Sequence, residues 1–123
     1  MQATAKAKHI RISPRKMRIV ADVVRGQNVQ ESLNTLHFMP QKATTFIERT
    51  IQSAVANLLD PNQNDSDVRI DEEALIVKEI YVDEGPMLKR FQPVSRGRAH
   101  PILKRSSHLT VVVALPEDES EEA

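Results

Sequence analysis

Lys89, Arg90, Arg96, Arg98, Lys104 and Arg105 lie in the stretch KRFQPVSRGRAHPILKR, residues 89–105, which holds no carboxylate. Cations gathered without counter-charge suit phosphate. Each makes charge-assisted hydrogen bonds, and Arg adds a planar fork that grips two oxygens or stacks on a base. Gly97 stands between Arg96 and Arg98, a residue free to take positive φ at a tight turn. Phe91 is the one aromatic of the stretch, so stacking on single-stranded bases fits poorly and reading of backbone and shape fits better. The plainer alternative is a solvated loop kept basic for solubility.

A second cluster opens the chain. Residues 1–25 carry Lys6, Lys8, Arg11, Arg15, Lys16, Arg18 and Arg25 against a single acid, Asp22, with His9 among them. Taken alone, Arg15, Arg18 and Arg25 are also what an ordinary solvated helix face contains. With the others they form a second candidate phosphate-binding surface. The formal net charge is zero because the bases are offset by an acidic segment, residues 61–86, and the acidic tail EDESEEA. The order of the charges carries the information, not their sum.

Other chemistries find little support. The chain has no cysteine, which excludes disulfides and thiolate metal sites. Asp60, Asn62 and Asn64 match the first ligand positions of a calcium loop. However, Asp65 stands where glycine is required, Asp71 stands where a bidentate Glu is expected, and a strand pattern follows instead of a helix. His9, His37, His100 and His108 lack metal-ligand spacing, while His100 and His108 accompany the basic stretch as hydrogen-bonding groups for RNA. No phosphate loop, dinucleotide fingerprint or local catalytic constellation occurs. The expectation is a non-enzyme without cofactor or metal. No apolar run reaches the roughly 20 residues of a membrane span and no signal peptide opens the chain, so a cytoplasmic location is expected.

The elements that position these residues are marked locally. TAKAKHIRI reads as a strand exposing Lys6, Lys8, His9 and Arg11. SPRKMRIVADVVRG reads as a helix, with Ser13 as N-cap, Pro14 in the first turn, Gly26 as the left-handed stop, and Met17, Val20, Ala21 and Val24 on one arc. A second helix follows Asn28, with Val29, Leu33 and Leu36 as its stripe and Pro40 as its close. A third runs from about Gln41 to Leu59, with Ala43, Ile47, Ile51, Ala54 and Leu58 in register and Pro61 as its stop. LIVKEIYVD and HLTVVVAL have strand composition, and Leu109, Val111, Val113 and Leu115 alternate in the latter. The expected fold is α+β, three helices packed on a three-stranded antiparallel sheet, with one long protruding β-hairpin at about residues 86–107. Residues 1–115 are expected to form a single domain and 116–123 a disordered acidic tail. Arms of about ten residues would reach roughly 30 Å and order only against a polyanion such as folded RNA. Two rivals are an architectural binder gripping a duplex groove and a protein module that adds strands at its exposed hairpin edges.

SPRKMRIVADVVRG, SAVANLL and above all VDEGPMLKRFQPVSRGRAHPILKRSSHLTVVV closely resemble the ribosomal protein L22 (uL22) family of the large subunit, bacterial type, over roughly residues 3–115. The resemblance implies a structural role on 23S rRNA in the cytoplasmic ribosome. It also implies support of subunit assembly and a hairpin tip that helps line the nascent-peptide exit tunnel near ribosomal protein L4. Lys8, Arg11, Arg15, Lys16 and Arg18 match the family's basic N-terminal rRNA surface, joined here by Lys6, His9, Arg25 and His108. Lys89, Arg90, Lys104 and Arg105 would be rRNA contacts of the stem. Val94, Ser95, Arg96, Gly97 and Arg98 would form the tip beside the passing nascent polypeptide. Neighbouring ribosomal proteins are the other expected partners, with no membrane span and no homo-oligomer. The chain departs from the family in its neutral net charge and in Val94 and His100, where basic or polar residues are common.

Overall fold

The computed structural model describes residues 2–60 and 72–116. The chain runs β1 (Gln2–Ile10), α1 (Pro14–Val24), α2 (Val29–Phe38), α3 (Ala43–Leu59), β2 (Ile76–Glu84), β3 (Leu88–Pro93), β4 (Ala99–Lys104) and β5 (Ser107–Ala114). Short 3-10 turns fall at Glu72–Ala74 and Ser95–Gly97. The calcium-like positions Asn62, Asn64, Asp65 and Asp71, the expected stop at Pro61 and the tail 117–123 lie outside the described residues.

The ends of α1 and the start of α2 follow the local signals, whereas α3 begins at Ala43 without a side-chain cap. Ser13 Oγ accepts the Lys16 N–H, Pro14 occupies the first turn, and Gly26 leaves α1 with φ 76°. Asn28 Oδ1 accepts from the N–H groups of Gln30 and Glu31 at 2.9 and 3.3 Å, which caps α2. The expected apolar positions of α1 and α3 are all buried; in α2, Val29 and Leu36 are buried while Leu33 is half-buried at the margin. α1 packs on β2, α3 packs on β1 and β5, and α2 lies against α3. Met17, Val20, Ile47, Ile51, Leu58, Leu109 and Val111 are fully enclosed between these layers. Burial of each such side chain contributes about 1.5–3 kcal/mol.

The sheet order is β1-β5-β2, all antiparallel. Leu109, Val111 and Val113 of β5 face the helices as the alternation predicts. Thr110 and Val112, on the other face, are buried as well. The reason is their central place: Thr110 lies between Lys6 and Tyr81, and Val112 between Thr4 and Glu79. Side chains of the flanking strands close over the middle one.

β2 is an edge strand, yet several polar groups on its outer side are occupied. Gly26 N–H donates to Val77 O, Val77 N–H to Gln27 O, and Val29 N–H to Leu75 O, at 2.8–2.9 Å. Farther along, Arg25 donates through Nε and Nη2 to Ile80 O at 3.2 and 2.7 Å. Arg18 does the same to Val82 O at 3.2 and 2.9 Å. The basic face of α1 therefore doubles as a clasp on the sheet edge.

β2 and β5 lead into a two-stranded ribbon, in which β3 pairs with β4 from Leu88↔Lys104 to Pro93↔Ala99. Each arm has six paired residues, short of the ten expected. Between Glu84↔Ser107 and Leu88↔Lys104, residues 85–87 lie opposite residues 105–106, a bulge that interrupts the ladder. Gly85 N–H donates to Ser106 O at 2.9 Å, and Ser106 Oγ donates to Pro86 O at 2.7 Å. A Cβ on Gly85 would stand 2.4 Å from Ser106 Oγ, so a side chain there would have to push that hydroxyl off its bond to Pro86 O. All ribbon strand residues are exposed except Ile102, which is half-buried.

Replacing Arg18 with Met keeps the aliphatic stem and leaves Val82 O without its donors. Unfolding of the RNA-free protein in urea should show a loss of about 1–2 kcal/mol; an unchanged midpoint would mean that water replaces the clasp at no cost. Ser32 Oγ, buried in α2, has no hydrogen-bond partner among the described residues. Ser32→Ala should therefore be neutral or stabilising by up to about 1 kcal/mol in the same measurement, whereas destabilisation would reveal a bonded hydroxyl.

Candidate nucleic-acid interface

Most of the cations expected from the sequence fall on three connected regions; Lys6, Lys8 and Arg25 lie outside them. The first is the ribbon. Lys89, Arg90 and Lys104 are strand residues, Arg105 lies at the root, and all four are exposed. Arg90 Nη1 donates back to Lys89 O at 3.0 Å, and its remaining N–H groups have no bond among the described residues. Phe91 is 68% exposed.

The second is the tip, residues 94–98. Val94 N–H donates to Arg98 O at 2.9 Å and closes the turn. Gly97 takes φ 71°, as its place between two arginines predicts, but Arg96 also takes φ 66°. Two consecutive left-handed residues tighten the turn. For a side chain with a Cβ that conformation costs roughly 1–2 kcal/mol. Nothing in the spacing of Arg96 announces this conformation, since it depends on how the two arms meet.

The third is the connector from β1 to α1, around which the other bases gather. Arg15 and Arg18 share an open cleft of about 360 Å³ with Arg105 of the ribbon root, Ser13, Pro14 and one acid, Glu84. On the other side of the root, His9 and Arg11 meet Pro86, Leu88, Lys104 and Ser106 around about 130 Å³. The ribbon thus joins the body between two groups of cations that are remote in sequence. These side chains are exposed, so each charge alone is worth little, but an array of them faces a polyanion as one field.

His9 and His108 are fixed by each other. Lys8 and His9 form a bulge opposite His108, and His9 takes φ 60° there. The His9 N–H donates to His108 Nδ1 at 3.1 Å, and the rings meet edge to face with centroids 4.9 Å apart. In neutral His108 the ring proton is therefore on Nε2. Lys6 and Lys8 lie apart from the connector, on the sheet face away from the helices, where Ala3, Ala5 and Ala7 take the inward positions.

Arg25 stands apart too. It is seven residues beyond Arg18, about 10 Å along the helix, and it is committed to Ile80 O and to an ion pair with Asp22. A further cation carries no signal in the sequence: Lys42, just before α3, shares a cleft with Arg11 and Lys16. It sits alone in MPQK, outside any basic block, and only the packing of α3 brings it there. Among the described residues no group of His, Cys, Asp and Glu could hold a metal ion, and no helix is long and apolar enough to cross a membrane.

Comparison with known proteins gives one answer along nearly the whole chain. The family model for ribosomal protein L22p/L17e matches residues 5–114. The large ribosomal subunit protein uL22 of Salinibacter ruber is 53% identical over 123 residues, covering 100% of this chain and 98% of that protein. The uL22 proteins of Desulfitobacterium hafniense (strain Y51) and Herpetosiphon aurantiacus are 53% and 50% identical, covering 91% and 92% of this chain and 93% and 95% of theirs. With a family match that takes in every element from β1 to β5 and relatives of near-equal length, the chain belongs to the ribosomal protein L22p/L17e family.

Proposed function

We propose that the protein is a structural, non-enzymatic constituent of the large ribosomal subunit that binds 23S rRNA and supports subunit assembly. The observation that carries this reading is the exposed ribbon, free of acids from residue 88 to residue 104, rooted between two cationic clefts of the body. A two-stranded ribbon without its own core is marginal in water. Surrounding phosphates supply both neutralisation and contact. In this reading Lys89, Arg90, Lys104 and Arg105 contact rRNA from the stem, while Lys6, Lys8, His9, Arg11, Arg15, Lys16, Arg18 and His108 do so from the body. Arg25, already paired with Asp22, contributes least. The tip, Val94 to Arg98, helps line the passage taken by the nascent polypeptide near ribosomal protein L4. The setting is the cytoplasmic ribosome, and residues 1–115 act as one unit.

Strand addition is less favoured. The outer carbonyls of Ile80 and Val82 are taken by Arg25 and Arg18 and the start of β2 by the 26–29 segment, and the ribbon edges are crowded with like charge. A groove-gripping architectural protein would want apolar wedges at the tip, where Val94 stands half-buried.

Deleting residues 88–104 should leave the helical circular-dichroism signal intact and abolish stable incorporation into large-subunit particles on sucrose gradients. Loss of the helical signal would show the ribbon to be part of the core, and normal incorporation would overturn its role. Changing Arg90 and Arg105 to Glu should weaken rRNA-fragment binding and flatten the log affinity–log salt slope by roughly 0.7–0.9 for each phosphate no longer neutralised. An unaltered slope would remove both residues from the interface.

A further inference from the structure

The cleft between the connector and the start of α3 is roomier than the two beside the ribbon. Exposed Arg11, Lys16 and Lys42 stand around it, Ile12, Ile19 and Ala43 give it an apolar wall, and no carboxylate lines it. Its volume is about 510 Å³, within the range of small-ligand sites. Ile12 and Ala43 are buried at its base, but Ile19 is 57% exposed on a helix whose other outward residues are mostly charged. None of the three cations is paired with an acid among the described residues. The site therefore offers positive charge and an apolar surface together.

A nucleotide carries the matching pair, a phosphate and a flat base. Within a duplex the bases are stacked and cannot enter a concave site, whereas a bulged or looped base can be splayed outward. The cleft also shares Arg11 with the pocket at one side of the ribbon root and Ser13 with the pocket at the other. A strand that follows the cationic belt thus passes over it. We propose that this cleft takes one unpaired RNA nucleotide, with its phosphate on Arg11, Lys16 and Lys42 and its base against Ile12 and Ile19. Ser13 and Gln41, also in the lining, supply hydroxyl and amide groups for the base edge. The inference rests on the rRNA reading above and adds which feature of the RNA the body selects.

The test compares two otherwise identical RNA hairpins, one with a single bulged 2-aminopurine and one fully paired, binding to the full chain. The bulged RNA should bind about tenfold tighter, about what burying one face of the base on an aliphatic wall contributes, with a change in 2-aminopurine fluorescence. Ile19→Ser, and Ile19→Asn as a bulkier neutral variant, should erase that preference and leave binding of the paired hairpin unchanged. Lys42→Glu should weaken the bulged RNA more than the paired one. Equal binding of the two hairpins, or a preference that survives both Ile19 variants, overturns the nucleotide site while the rRNA reading stands. Failure to bind either hairpin overturns both. Displacement of the bulged hairpin by a poly-glutamate peptide that leaves the paired hairpin bound would assign the cleft to acidic peptides and overturn the proposal.

Discussion

β5 is hydrogen-bonded along both edges, and the rest of the molecule takes its position from that arrangement. β1 and β2 are held at fixed register on either side, Leu109, Val111 and Val113 meet the helices, and Thr110 and Val112 are closed over by their neighbours. A strand in that place cannot slip by one residue without exchanging a core face for a polar one. Its N-terminal end is therefore a firm base, from which β4 extends backwards out of the body. The ribbon inherits its direction from β5 while sharing almost none of its burial. Firm root and coreless extension are two antiparallel pairings in sequence, with the bulge between them.

Charge is arranged on the same plan. A neutral chain has no long-range pull on RNA as a whole, but a Debye length of about 8–10 Å makes local order decisive. Arg11 of the connector gathers with cations from α1, the approach to α3 and the ribbon root, with Glu84 as the acid among them. Glu79 and Asp83 belong to β2, at the far side of the sheet from Lys6 and Lys8. Two arginines do a second job by satisfying edge carbonyls, so part of the basic surface is fixed before any partner arrives.

Sequence periodicity located all three helices and their buried faces because each carries a regular apolar stripe between recognisable caps. The strands and the site of the hairpin were legible for a similar reason: β-rich runs bracket a stretch that neither helix nor core accepts. Other features depend on distance in space. The alternation in β5 predicts one buried face, whereas its central position buries both. Arg18 and Arg25 read as free surface charge until β2 arrives beside them. Lys42 belongs to no basic block and joins one only when α3 packs. The bulge of residues 85–87 against 105–106 has no local signature beyond Gly85, so the paired arms are shorter than the composition suggests.

That bulge has a consequence for how such an arm can vary in size. Side chains on a strand alternate between faces, and the root fixes which residue of each arm begins the alternation. Adding a residue to one arm would turn its remaining side chains over relative to the other. Adding one residue to both would present the opposite faces to the surroundings. Only insertions of matched residue pairs preserve every outward side chain, each moving the turn outward by about 7 Å. Indels in this finger should therefore come in quantised steps, whereas the far end of the sheet is under no such parity rule.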